Sequence, residues 1–254
     1  MGTVRGISGL FTRGRVIVAV VTAVAAVAVG GTALALTTSP SSHVVSISTA
    51  GRTSAALKVT TGMPVLQVSV GKLGGTLLRA STPDDAPVRP VLSGSRLIVL
   101  SLTGAAHGSG DNGQGSSYAV KVVLNSAVTW SLDLAGGTQR TVADLRGGKV
   151  GGIAVTAGSD ILDVSLPGPA GTLPFLLAGG ASQFLLSLPG GVPAQVTVGG
   201  GASFVSVDDQ NLTGVAGGTV LTPPGWATAT SRFYIDATSG FSRLTVSRWY
   251  PAGS

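Results

Sequence analysis

Five glycines each close a turn that leads into an apolar run: Gly137, Gly158, Gly180, Gly201 and Gly240, in steps of 21, 22, 21 and 39 residues. Apolar side chains recur four, six and eight residues after the glycine, as Leu162, Val164 and Leu166, then Phe184, Leu186 and Leu188, then Val205 and Val207, and Leu244 and Val246. Alternation of this kind turns one face of a strand inward. A single coil of about 21 residues cannot bury such a face alone and must lay it against its neighbours. The first copy, with Thr141, Ala143 and Leu145, is weaker, and the fourth carries Asp209 at its last position. The pattern predicts an all-β chain, a single-strand β-solenoid of stacked coils; an antiparallel β-sandwich with evenly spaced hairpins is the alternative.

Composition points the same way. The chain has 39 Gly and 13 Pro among 254 residues, yet 44% of it is apolar, too much for disorder. All ten acidic residues are Asp. Without Glu the chain lacks a strong helix former and the usual partner in capping boxes and i,i+4 pairs. There is no Cys, which removes disulfides, thiolate metal sites and cysteine nucleophiles.

The N-terminus is of a different kind. From Val16 to Leu36 run 21 residues without a charge, long enough as a helix to span about 30 Å of hydrocarbon. Arg13 and Arg15 precede this segment and no basic residue follows until Arg52, so the positive-inside bias places the N-terminus in the cytoplasm and the remainder outside the cell membrane. Ala33-Leu34-Ala35 has the small-x-small form of a cleavage site, so a secreted product cut after Ala35 is the alternative to a single-pass signal anchor. The expected organisation is a cytoplasmic basic segment (1–15), the transmembrane helix (16–36), a polar linker (37–43), a first β region (44–102), a Gly/Ser-rich loop (103–117) and a repeat-containing β region (118–250). Once Arg5, Arg13 and Arg15 are set apart, 13 basic residues face 10 acidic ones, with no two cations adjacent. That excludes a nucleic-acid-binding stretch.

The turns Leu134-Ala-Gly-Gly-Thr138, Ala178-Gly-Gly-Ala-Ser182, Leu188-Pro-Gly-Gly-Val-Pro193, Val198-Gly-Gly-Gly-Ala-Ser203 and Tyr234-Ile-Asp-Ala-Thr-Ser-Gly240 resemble the repeats of adhesin-type "toast-rack" domains from envelope proteins of high-GC Gram-positive bacteria. The resemblance covers about Tyr118 to Trp249. It implies a β-solenoid and suggests adhesion or sensing, and it brings no catalytic residues with it.

Chemistry-bearing residues are sparse. Gly108-Ser-Gly110-Asp-Asn-Gly113 has the letters of a dinucleotide loop, but a strand pattern follows it where a helix N-terminus is needed. His43 and His107, the only histidines, read as solvated loop residues. Asp160 and Asp163 fall on opposite faces of one strand, which spoils a paired-carboxylate site. Asp208 and Asp209, at a strand end before Gln210-Asn211, are the candidate oxygen ligands for a metal ion, read otherwise as a solvated turn. Trp226, Phe233, Tyr234, Phe241, Trp249 and Tyr250 cluster near the C-terminus among basic residues. Arg232, Arg243, Arg248 and Trp249 there are the candidate surface for sugars or anionic wall polymer, read otherwise as a cap on the last coil.

The expectation is therefore a non-catalytic, membrane-anchored extracytoplasmic envelope module, structural or adhesive, with no cofactor. Its partners are the lipid membrane through residues 16–36 and a cell-wall polymer or another envelope protein. An envelope-stress sensor acting through another membrane protein is one alternative, although only 15 residues precede the helix. A glycan-acting enzyme is the other.

Overall fold

The computed structural model describes residues 36–37, 42–104 and 118–251. The N-terminal strands are β1 (Leu36–Thr37), β2 (Val44–Ser48), β3 (Ser54–Val59), β4 (Met63–Gly71), β5 (Thr76–Ser81), β6 (Val88–Ser93), β7 (Leu97–Gly104) and β8 (Ala119–Asn125). The central ones are β9 (Thr129–Leu134), β10 (Thr138–Asp144), β11 (Lys149–Val155), β12 (Ser159–Ser165), β13 (Thr172–Leu177) and β14 (Ala181–Pro189). The C-terminal ones are β15 (Ala194–Val198), β16 (Ala202–Val207), β17 (Gln210–Val215), β18 (Thr219–Leu221), β19 (Arg232–Ala237) and β20 (Phe241–Trp249). No helix occurs among the described residues, and so none that could cross a membrane. The expected transmembrane helix lies outside the described residues except at Leu36, which pairs with Ile47 of β2. The expected loop 103–117, with His107 and the 108–113 glycine motif, lies outside them except at Thr103 and Gly104.

The strands form two mixed sheets. The first has the order β1-β2-β5-β8-β4-β10-β12-β14-β20-β16-β17, and the second β18-β15-β19-β13-β11-β9-β3-β7-β6. From β9 to β14, successive strands alternate between the sheets, and each pairs in parallel with a strand two places along the chain. Thr138 of β10 lies opposite Ser159 of β12, 21 residues on, and Ser159 lies opposite Ala181 of β14. Each sequence period thus carries two strands, one in each sheet, where the periodicity alone had located one. The side chains expected to point inward do so: Leu162, Val164, Leu166, Phe184, Leu186, Leu188, Val205, Val207, Leu244 and Val246 are all buried, and so are Thr141, Ala143 and Leu145 of the weak copy. They meet Trp130, Leu132, Ile153, Phe175, Phe233 and Val196 from the second sheet in one core. Phe175 and Phe184 stack across it at 5.1 Å. Each such side chain contributes about 1.5–3 kcal/mol by leaving water.

The two β regions read from the sequence share both sheets, since β3 pairs with β9 and β4 with β10. Stack order also departs from chain order at both ends. The final pair β19–β20 sits between β13–β14 and β15–β16, and β3–β4 sits between β9–β10 and β7–β8. The segments β5–β8 and β15–β18 are therefore the outer modules, and antiparallel pairing is confined to them and to β1 and β2. Pro90 argues against an inner strand, and β6 is an edge strand, where a missing N–H costs no ladder bond.

Connections from the second sheet to the first stack into one corner, and the repeat glycines fill it. The Gly158 carbonyl accepts from Thr138 N at 3.1 Å, and the Gly180 carbonyl from Ser159 N at 3.0 Å. A Cβ on Gly158 would meet Gly180 O at 3.6 Å, an ordinary contact, but one on Gly179 would come within 2.1 Å of Ala157 O. We expect Gly179→Ala to cost at least about 1–3 kcal/mol of unfolding free energy by overpacking, and Gly158→Ala markedly less, in urea denaturation of the two variants. Equal losses would mean that the corner is not backbone-limited.

Candidate functional site

The C-terminal cluster is assembled by the insertion of β19–β20 beneath β15–β16. Arg248, near the end of β20, crosses to the β16–β17 turn and grips Asp208 with both arms, Nε to Oδ1 at 2.6 Å and Nη2 to Oδ2 at 2.8 Å. Its Nη1 donates to the Val192 carbonyl at 2.8 Å in the connection into β15. Asp208 has φ +52°, a left-handed conformation that Asp tolerates better than most residues. Both carboxylate oxygens of this candidate metal ligand are thus engaged by a cation. Asp209 beside it is exposed, and no group of three or more His, Cys, Asp or Glu side chains among the described residues is placed to hold a metal ion.

The other candidate residues are also engaged. Arg232 donates from Nε to Thr172 Oγ1 at 2.9 Å and from Nη1 to the Ala227 carbonyl at 2.7 Å, and lies 4.6 Å above the Trp226 ring. The Trp226 indole in turn donates to the Phe233 carbonyl at 2.7 Å, so Arg232 and Trp226 together pin the 223–229 turn to β19. Arg243 covers the Phe204 ring of β16 at 4.5 Å on the outer face of the first sheet. Trp249 sends its indole N–H to the Leu166 carbonyl at 3.0 Å. The structure brings Arg248 and Trp249 to neighbouring positions at one corner and places Arg243 near the opposite end of the same strand. Arg243 and Arg248 tie the inserted pair to the module outside it, whereas Arg232 and Trp249 tie it inward, to β13 and to the turn after β12. Tyr250 lies against Gly190, where an added Cβ would come within 2.0 Å of the ring. Beside it lies an open cavity of about 450 Å³, lined by Val192, Pro193, Pro224, Arg248 and Tyr250.

Two features escaped the sequence reading. His43 is not a free loop residue: its Nδ1 is 2.9 Å from the hydroxyl of Thr82, which gives its proton to the Val88 carbonyl at 3.1 Å. The hydroxyl can then only accept from His43, which is the reverse of what a histidine base and its nucleophile require. Asp236 stands on the outer face of the second sheet with Leu176 and Thr197 as register partners, and burial there pushes its carboxyl up. Its odd-even position in β19 could have been read from the alternation of Phe233 and Ile235, but its desolvation comes from neighbouring strands.

No family model matches the chain, and no curated protein matches it. Among solved structures it is similar to a "putative cell adhesion protein" from Clostridium sporogenes, with a TM-score of 0.58 at 15% identity. The likeness covers 80% of this chain and 97% of that one. The two share a fold.

Hydrogen bonds from Arg248 hold the Asp208 carboxyl below the ordinary carboxylate range, and Arg146 does the same for Asp144. A depressed folded-state value means stability that is present above the unfolded pKa, about 4, and lost as pH falls through the folded value. Asp236 has the opposite sign: its carboxylate opposes folding at neutral pH, and that penalty is relieved on acidification through its raised value. Acid unfolding followed below about pH 4 should therefore flatten in Asp208→Asn, which keeps the left-handed backbone, whereas Asp236→Asn should stabilise the protein at pH 7 with the gain gone in acid. An unchanged acid limb in Asp208→Asn would show that the Arg248 pair is not formed in solution.

Proposed function

We propose that the protein is a non-catalytic extracytoplasmic module of the cell envelope, structural or adhesive in role, whose two sheets are the faces of stacked β-solenoid coils. The observation that supports it most is the fold shared, along most of the chain, with the "putative cell adhesion protein" from Clostridium sporogenes. Geometry adds to this. The chain enters the first sheet at one edge, through β1, and the arginine and aromatic cluster gathers around β20 and β16 at the other. With residues 16–35 as a membrane anchor ahead of β1, that arrangement carries the far end of the stack away from the lipid toward wall polymer or a neighbouring envelope protein. The C-terminal arginines act in this reading as ties that keep the far end rigid under load.

The test is fractionation of cells expressing the full-length chain, with intact-mass analysis and pull-down on purified cell wall. The full mass in the membrane fraction, with retention on wall material, is expected. A soluble product shortened by residues 1–35 that does not bind wall would sink the anchored adhesive reading.

A further inference from the structure

The corner opposite the glycines, where the first sheet hands the chain to the second, is built differently. Thr49 N bonds the Gly75 carbonyl, Arg52 reaches the Ser95 carbonyl, Ser126 N bonds the Gly71 carbonyl, and Gly148 lies against Val70. These contacts make a continuous ridge of the turns after β2, β4, β6, β8 and β10. Arg52, Lys72, Arg96, Arg146 and Lys149 all stand on it, and all but the half-buried Arg52 are exposed. The carboxylates along the ridge are few: Asp144 and Asp208 are held by Arg146 and Arg248, and Asp209 stands at its far end. At the glycine corner the described junctions carry Asp84 and Asp85 and no Lys or Arg. Of the two corners, positive charge thus stands at the one opposite the glycines.

The spacing selects the ligand. In the second sheet the turn bearing Arg96 precedes β7, that bearing Arg52 precedes β3, and Lys149 opens β11, with β9 between the last two. Neighbouring cations are then one or two strand spacings apart, about 5–10 Å. A single compact anion cannot bridge such a row, whereas a chain of regularly spaced anions can follow it, and the forked arginine guanidinium suits phosphate oxygens. We infer that this ridge binds a linear phosphodiester polyanion laid along the stack. The inference deepens the adhesive reading by giving the partner's chemistry.

Inorganic polyphosphate is the probe, titrated into the full-length protein in neutral detergent at several salt concentrations. Lys72→Gln/Arg96→Gln/Lys149→Gln is compared with Arg79→Gln/Lys121→Gln/Arg140→Gln, which removes the same charge from the exposed outer face of the first sheet. The ridge triple should weaken binding at least about tenfold and lower the slope of log affinity against log salt by about 2, while the face triple stays within about twofold. Equal losses in both triples, or no loss in either, would overturn the inference, because net charge alone or another surface would then govern binding. Displacement of polyphosphate by phosphatidylglycerol vesicles at equal phosphate would overturn it too, in favour of a membrane contact. Retention on cell wall without polyphosphate binding would sink the ridge and leave the adhesive reading standing; polyphosphate binding by a protein that never reaches the envelope would do the reverse.

Discussion

Everything in this molecule depends on how closely backbone can approach backbone at the glycine corner. Gly62, Gly137, Gly158, Gly180 and Gly240 form a column in which an added Cβ would stand 3.3–3.6 Å from the carbonyl oxygen of the next glycine. Beside them, Gly136 and Gly179 leave no room at all, with carbonyl oxygens at 2.2 and 2.1 Å from a built Cβ. Because those carbonyls also receive the first ladder bonds of the next strands, the turn sets both the spacing and the register of the first sheet. A slip of one residue would turn Leu162, Phe184 and Leu244 outward together. The glycines therefore fix the core indirectly, by leaving the chain one place at which each strand can begin.

Two sheets built this way have open ends, and an exposed ladder is a template for pairing with other chains. The chain answers the problem twice with the same device. A four-strand segment, β5–β8 at one end and β15–β18 at the other, supplies one parallel pair and one antiparallel strand on each sheet. The chain pair that adjoins it in sequence, β3–β4 or β19–β20, is held inside. The last strands offered to solvent are poor templates: β6 contains Pro90, β18 is 3 residues long, and β17 has Gly214 at φ +60°. The price of the inserted order is that β19–β20 must be locked under a module made earlier in the chain, and Arg232, Arg243 and Arg248 each reach from it to a neighbouring segment.

The inward positions of β10, β12, β14, β16 and β20 were legible in the sequence because the glycines supply a phase and the alternation of Leu, Val and Phe supplies a face. The partner strands were less so. β11 begins Lys149-Val-Gly-Gly and β13 carries Pro174, compositions that local propensity assigns to loops, and their place as strands comes from lying between two parallel neighbours. Stack order was not legible either. The step of 39 residues to Gly240 reads equally well as two periods in line or as an excursion and return, and only packing of Phe233, Ile235 and Leu244 between existing layers decides it. The Arg248–Asp208 pair was hidden for the same reason: two residues 40 apart become neighbours only through the inserted order.

Segregation of charge follows from the same construction. At the glycine corner the carbonyl-to-backbone contacts leave no space for long side chains, so cations are excluded there by sterics. The opposite corner has longer and more varied connections, and at three of these junctions a Lys or Arg extends into water at little cost. Because neighbouring strand junctions carry their cations at the same edge, the pairing of the strands sets these charges in a row with the strand spacing as its pitch. A sequence with only a small excess of positive charge thereby acquires one edge on which cations follow one another from strand to strand.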